Sequence, residues 1–352
     1  MTSPALPTIG LAGDLMLRRP LADDAFARRP RLAAARDAIR ACDLVIANLE
    51  MPLSRRGYRV PKHSNLRSAP EVIWSVRELG VHAVTLANNH MMDYGPEAMF
   101  DTLAACDEAG IARCGAGADL DAALAPAWLT TQGTKVALLS VASTLPVESD
   151  AGPGKPGIAP LRVRFSFEVD TNLLAEQPGT VPPVRSWPEP GDLERVCDQV
   201  RRARREADVV IVGIHWGVPP HWLSPYLGLL AEYQQPVAHA LIEAGADVIA
   251  GHHSHCLHPI EWYRGKPIFY SLGNFLFEDP PAFMEPESVL VRLKPGVPPV
   301  VELVPLLLDE DGFPAVASGP EATRVVEKLR AMSASYGCAI EERGGGWAVC
   351  PA

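Results

Sequence analysis

Gly251-His252-His253-Ser254-His255 follows the apolar run Val248-Ile249-Ala250, and Asn88-Asn89-His90 follows Ala83-Val84-Thr85-Leu86-Ala87. Each run is short and free of charge, the pattern of a strand buried on both faces. A strand tip bearing His-x-His and another bearing Asn-His can converge on one cation. Three more polar clusters stand in the same relation to apolar runs. Asp14 follows Thr8-Ile9-Gly10-Leu11-Ala12, Asn48 and Glu50 follow Leu44-Val45-Ile46-Ala47, and His215-Trp216-Gly217 follows Val209-Val210-Ile211-Val212-Gly213-Ile214. Parallel strands in α/β proteins open their carboxyl ends onto one crevice, so five such clusters belong to a single site.

Helical patterns separate these strands, at 31–41, 70–80 (opened by Pro70), 96–109 (with Pro96 in its first turn), 191–206, 227–245 and 320–335. Alternation of this kind predicts βαβ units in an α/β protein. Strand-like runs at 258–263, 267–272, 288–293 and 300–307 predict a second half ending in antiparallel sheet. Residues 145–190 interrupt the pattern with Gly152-Pro153-Gly154-Lys155-Pro156-Gly157 and Pro182-Pro183, and are expected to be an irregular, lid-like insertion. The organisation expected is one catalytic domain over 1–320 carrying that insertion, then a helix and Gly-rich tail over 321–352.

The chain has 352 residues and a formal net charge of −10, which disfavours nucleic-acid binding. No apolar run approaches a membrane span, and Met1–Pro7 carries no signal-peptide pattern, so a cytoplasmic protein without membrane partners is expected. The seven cysteines lack CxxC spacing and are expected to be reduced, with Cys338 and Cys350 the one pair placed to bond. The oligomeric state is left open.

The cluster residues supply two carboxylates, Asp14 and Glu50, the amide oxygen of Asn89, and the imidazoles of His215, His253 and His255. A mixed nitrogen and oxygen set suits a divalent ion such as Mn, Fe or Zn, whereas use of mainly the oxygens would suit Ca. One or two ions per chain are expected. His90, with Asp93 three residues on, is a candidate acid/base, although Asp93 is equally placed to cap the following helix.

Gly13-Asp14-Leu15-Met16, Asn48-Leu49-Glu50, Leu86 to Gly95, His215-Trp216-Gly217, Gly245 to His255, and Tyr270-Ser271-Leu272-Gly273-Asn274-Phe275 together resemble the CapA, or poly-γ-glutamate capsule, family of the calcineurin-like metallophosphoesterase superfamily. The resemblance runs from about residue 8 to 278. It implies a four-layer sandwich, two mixed β-sheets flanked by helices. It also implies metal positions at Asp14, Glu50, Asn89, His215, His253 and His255, and an acid at His90. The superfamily's usual Asp-x-His is here Asp14-Leu15-Met16, and Glu50 with Asn48 stands where an Asp is usual.

Capsule members typically carry an anchor or export signal. The soluble branch that this chain resembles includes lasso-peptide C-terminal epimerases. The reaction expected is therefore metal-dependent epimerisation at the Cα of the C-terminal residue of a ribosomal precursor peptide, an isomerase activity with Asp14, His90, Asp93 and His253 as its proton-transfer residues. The alternatives are a phosphoesterase and a poly-γ-glutamate biosynthesis protein. Substrate contacts are expected from the basic loop after Glu50, through Arg55, Arg56, Arg59 and Lys62, and from Trp216 and Trp222.

Overall fold

The computed structural model describes residues 6–218 and 229–352. A ten-stranded sheet carries, along its main path, Cys338–Arg343, Gly346–Pro351, Val300–Leu308, Glu287–Lys294, Ile9–Met16, Leu44–Leu49, Ala83–Thr85 and Ala112–Cys114. Asn274–Phe277 pairs in parallel beside the end of Ile9–Met16. A six-stranded sheet runs Ile260–Tyr263, Lys266–Phe269, Val248–His252, Val209–His215, Thr134–Ala142 and Ala127–Thr131. Both sheets mix parallel and antiparallel pairs, as the α/β sandwich requires.

Side chains of successive strand residues alternate between faces, and the strands here are apolar on both. Ile9, Leu11, Leu44, Ile46, Val136, Leu138, Val209, Ile211 and Val248 pack into one cluster between the sheets. Their neighbours Val45, Ala47, Ala137, Leu139, Val210, Val212 and Ile249 face outward into a second cluster. That second cluster also takes in Val72, Val76 and Leu79 of helix Val72–Leu79, Met99 and Leu103 of Gly95–Ala109, Val196 and Val200 of Pro190–Arg204, and Val237 and Leu241 of Gln234–Ala244. The result is the helix–sheet–sheet–helix order that the resemblance implies.

Several expectations need correction. Residues 145–190 are not irregular throughout: Val163–Phe167 and Val184–Pro188 form an antiparallel ribbon around helix Thr171–Glu176, and Gly157–Ile158 pairs with Ala116–Gly117. The ribbon is mostly exposed, so the periodic burial that reveals a strand in sequence is missing there. The tail is a hairpin, Cys338–Arg343 against Gly346–Pro351, which extends the large sheet through Val300–Leu308. Cys338 and Cys350 lie on its two strands and are not bonded to each other. Helix 227–245 begins at Gln234 within the described residues. Among the described residues, no helix is long and apolar enough to cross a membrane.

Candidate metal centre

Strand register assembles the site. Asp14 pairs with Asn48 on one side and Asn274 on the other, and Asn48 pairs with Thr85. In the second sheet His215 pairs with His252, which puts His253 one residue beyond the strand end. Two glycines let the chain pass closely enough for this. A Cβ on Gly13 would lie 2.0 Å from the Gly273 carbonyl oxygen, and one on Gly251 would lie 2.1 Å from that of Tyr270. His253 and His255 adopt φ of 99° and 53°, a left-handed backbone that L-residues avoid and that concentrates at functional sites.

Glu50 is the centre. It is fully buried, and among the described residues neither carboxylate oxygen has a hydrogen-bond partner. Its Oε1 lies 3.4 Å from Nε2 of His215 and 3.5 Å from Nε2 of His255. Nε2 of His215 also faces Oδ1 of Asn89 at 2.8 Å and Nδ1 of His253 at 3.0 Å. Across from them, Asp14 Oδ2 lies 3.5 Å from Nδ1 of His255. Glu50, His215 and His253 thus bring three ligand atoms within 4.8 Å of one another, and Asp14, Glu50 and His255 do the same. Burying a carboxylate without hydrogen bonds is costly unless a cation compensates it, so this donor set fits one or two divalent ions with Glu50 shared.

Burial and the neighbouring Glu50 push the Asp14 carboxyl well above the usual carboxylate range, although Asn48 and the His253 N–H oppose the shift. For Glu50, burial acts in the raising direction but is outweighed by His255 and His215, which hold its carboxyl low. Burial pushes the His215 and His253 imidazoles below their ordinary value, so both favour the neutral form that binds metals.

Beneath the ligands runs a buried amide ladder. Asn48 Nδ2 donates to Asp14 Oδ1 at 2.8 Å, and Asn48 Oδ1 accepts from Asn88 Nδ2 at 3.1 Å. Asn88 also donates to the Leu49 carbonyl and accepts from the His90 and Met91 N–H groups. Such partners orient metal ligands. Asn274 joins from the other side, its Oδ1 2.9 Å from Nδ1 of His255. His252 points away, its Nε2 3.2 Å from the Ala12 carbonyl.

His90 and Asp93 form a pair beside this cluster, with Nδ1 2.7 Å from Oδ2. A carboxylate only accepts, so Nδ1 carries the proton and Nε2 is left to exchange one. Asp93 does not cap the following helix, whose N-cap is Tyr94 without a side-chain bond. Its carboxylate instead takes the Leu66 N–H at 2.6 Å and the Lys62 ammonium at 2.5 Å. Lys62 also donates to the Asn89 carbonyl, which fastens the basic loop onto the ligand segment.

The other expected substrate contacts are scattered. Arg55 pairs with both oxygens of Glu71, Arg56 with Asp101, and Arg59 donates to Asn65. Trp216 is buried, stacked on Tyr270 and donating to its carbonyl at 2.9 Å. Trp222 lies outside the described residues.

The model of the bacterial capsule synthesis protein PGA_cap family matches residues 8–279. The chain is 28% identical over 330 residues to the capsule biosynthesis protein CapA of Bacillus anthracis, covering 92% of this chain and 72% of that protein. It is 32% identical over 242 residues to the PGA biosynthesis protein CapA of Bacillus subtilis, covering 68% and 54%. It is 34% identical over 239 residues to a probable polyglutamine synthesis accessory protein of Mycobacterium tuberculosis, covering 66% and 55%. The chain therefore spans between 54% and 72% of the length of these relatives.

Proposed function

The chain belongs to the bacterial capsule synthesis protein PGA_cap family, and we propose that it is a metal-dependent enzyme of poly-γ-glutamate biosynthesis that acts on a glutamyl chain at the Glu50 centre. The observation that carries this reading is the Glu50 carboxylate, buried without a hydrogen bond and shared by two groups of ligand atoms. Relatives named for capsule or PGA biosynthesis supply the substrate class and favour it over the peptide epimerisation expected from sequence. A divalent cation bound there supplies a Lewis acid that polarises a carbonyl and offsets charge developing on its oxygen. The protein's residues do the rest. Asn48 and the His253 N–H fix the Asp14 carboxylate, and Asn89, His215 and His253 close the opposite side. Asp93 sets the His90 tautomer, so that Nε2 is left to exchange a proton with the bound chain.

The test is to load the purified protein with Mn or Zn, add a γ-linked glutamate oligomer, and follow chain length by mass spectrometry. A change in length that chelator and His90→Ala both abolish supports the reading. An unchanged oligomer under every metal contradicts it.

Epimerisation at a C-terminal Cα stands as a second reading. It is favoured by the presence of two separately held acid–base groups, His90 with Asp93, and Asp14 with His255. In deuterated water it predicts deuterium uptake at the terminal Cα with no change in chain length. Turnover of an aryl phosphodiester instead would move the protein to the phosphoesterase class.

A further inference from the structure

We propose that Arg18, Arg55 and Arg67 form a carboxylate subsite that holds the glutamyl chain as it leaves the metal centre; this rests on the glutamyl-chain reading above. The three arginines come from separate segments and meet around one cleft of about 240 Å³, completed by Ser54, Ser68 and Ala69. None of the six lining residues is acidic, in a chain whose net charge is −10. A local cationic cleft in an acidic protein concentrates anionic ligands there and repels them elsewhere.

Its position follows from the fold. Arg18 comes four residues after Asp14 and Ser54 four residues after Glu50, so the cleft continues the strand ends that carry both carboxylates. The segments are stitched together: the Ser54 N–H donates to the Ser68 carbonyl at 2.9 Å, and the Ser68 hydroxyl to the Leu17 carbonyl. Arg67 follows Leu66, whose N–H holds Asp93, and its guanidinium lies 3.9 Å over the ring of Tyr94. Arg67 thus ties the cleft to the segment that carries the His90–Asp93 pair, through Leu66 and Tyr94.

The guanidinium groups are available to a ligand. Arg67 makes no ion pair among the described residues and uses its guanidinium on the Arg56 carbonyl at 3.5 Å and on Tyr94. Arg18 pairs with Asp279 at 3.2 Å and Arg55 with Glu71 at 2.8 Å, and in both pairs each side chain is about half exposed or more. The Arg18 pair is of the exposed, single-contact kind that contributes little and exchanges partners readily; Arg55 grips Glu71 through both guanidinium nitrogens and must exchange that carboxylate for the ligand's. A forked guanidinium takes a carboxylate through two parallel hydrogen bonds, and a γ-linked glutamate chain offers one free carboxylate per residue. Three arginines on one cleft therefore supply guanidinium groups for the carboxylates of such a chain, and competition with inorganic phosphate separates this from capture of a single compact anion.

The experiment measures binding of a fluorescent γ-linked glutamate decamer to the full chain, with competing inorganic phosphate in a parallel arm. Arg18→Gln, Arg55→Gln and Arg67→Gln are each expected to weaken binding about threefold to tenfold, and the triple variant by about 100-fold, with a shallower dependence on salt. Arg67→Lys, which keeps charge but loses the fork, should fall between wild type and Arg67→Gln, and melting curves establish that each variant is folded. Unchanged affinity in the folded triple variant would overturn the subsite while leaving the glutamyl-chain reading intact. Failure of wild type to bind the decamer would overturn both, and equal displacement by millimolar phosphate would overturn the assignment to the carboxylates of a chain.

Discussion

Oε1 of Glu50 and Nε2 of His215 stand 3.4 Å apart, and the carboxylate makes no hydrogen bond to either side of that gap. Both residues are buried, and burial holds His215 toward its neutral form. Such a carboxylate is a liability in the metal-free protein and an asset in the metal-bound one. Adding Mn or Zn to chelator-treated protein is therefore expected to raise the thermal midpoint. At 100-fold excess over the dissociation constant the gain is about 2.7 kcal/mol. Differential scanning fluorimetry reads it, and a midpoint unmoved by every divalent ion would count against the centre.

Asn88 carries no ligand atom, yet it is fully buried and bonded to Asn48, Leu49, His90 and Met91. Asn88→Ala leaves a carbonyl, an amide oxygen and two N–H groups without that partner. Each unsatisfied buried group costs about 1–3 kcal/mol, so a total loss of at least ~3 kcal/mol is expected by urea denaturation. Metal affinity should fall with it, because Asn48 loses the support that aims its amide at Asp14.

Lys62 separates structure from chemistry. Its side chain is largely buried and its ammonium touches Asp93, Asn89 and, at 3.3 Å, Nδ1 of His90. Lys62→Met retains the Leu66 and His90 bonds to Asp93 but leaves that carboxylate short of a cation. On the oligomer reaction we expect kcat to fall about tenfold with metal affinity within about twofold of wild type. Equal losses in both would assign Lys62 to holding the fold alone.

Asp192 provides a pH signature remote from the metal. Burial acts to raise its carboxyl, but the Arg162 guanidinium at 2.7 Å and the Arg162 N–H at 2.9 Å hold it below the ordinary 3.8. A depressed acid contributes stability that is fully present above its unfolded value, and that is lost as pH falls through the lower folded value. Asp192→Asn should therefore cost about 1–3 kcal/mol at neutral pH and flatten the acid limb of the stability curve below about pH 4. Parallel limbs in the two proteins would contradict this assignment.

How much of this was legible in the sequence depended on periodic burial. Asp14, Glu50, Asn89, His215, His253 and His255 lie together because each follows an unbroken apolar run, and that run shows in sequence. Asn88 ends the same run as Asn89, but nothing in the sequence separates an amide that bonds four neighbours from one that faces the site. The basic loop after Glu50 was visible as charge, but not that Lys62 alone turns inward while Arg55 and Arg56 meet Glu71 and Asp101. Nor could spacing reveal that Arg18 joins Arg67, because 48 residues of chain lie between them. The tail hairpin did carry a signal. Gly344 and Gly345, at φ of 60° and 81°, are the Gly-Gly turn that joins two strands, flanked by Ile340 and Val349.

The most direct test of the central claim is the metal content of the purified protein, wild type against Glu50→Gln, by native mass spectrometry after equilibration with Mn or Zn. Wild type is expected to retain one or two ions per chain, and Glu50→Gln to lose at least one of them while keeping its melting transition. A wild type that retains no ion, or a Glu50→Gln variant that retains the full complement, would contradict a centre built around Glu50.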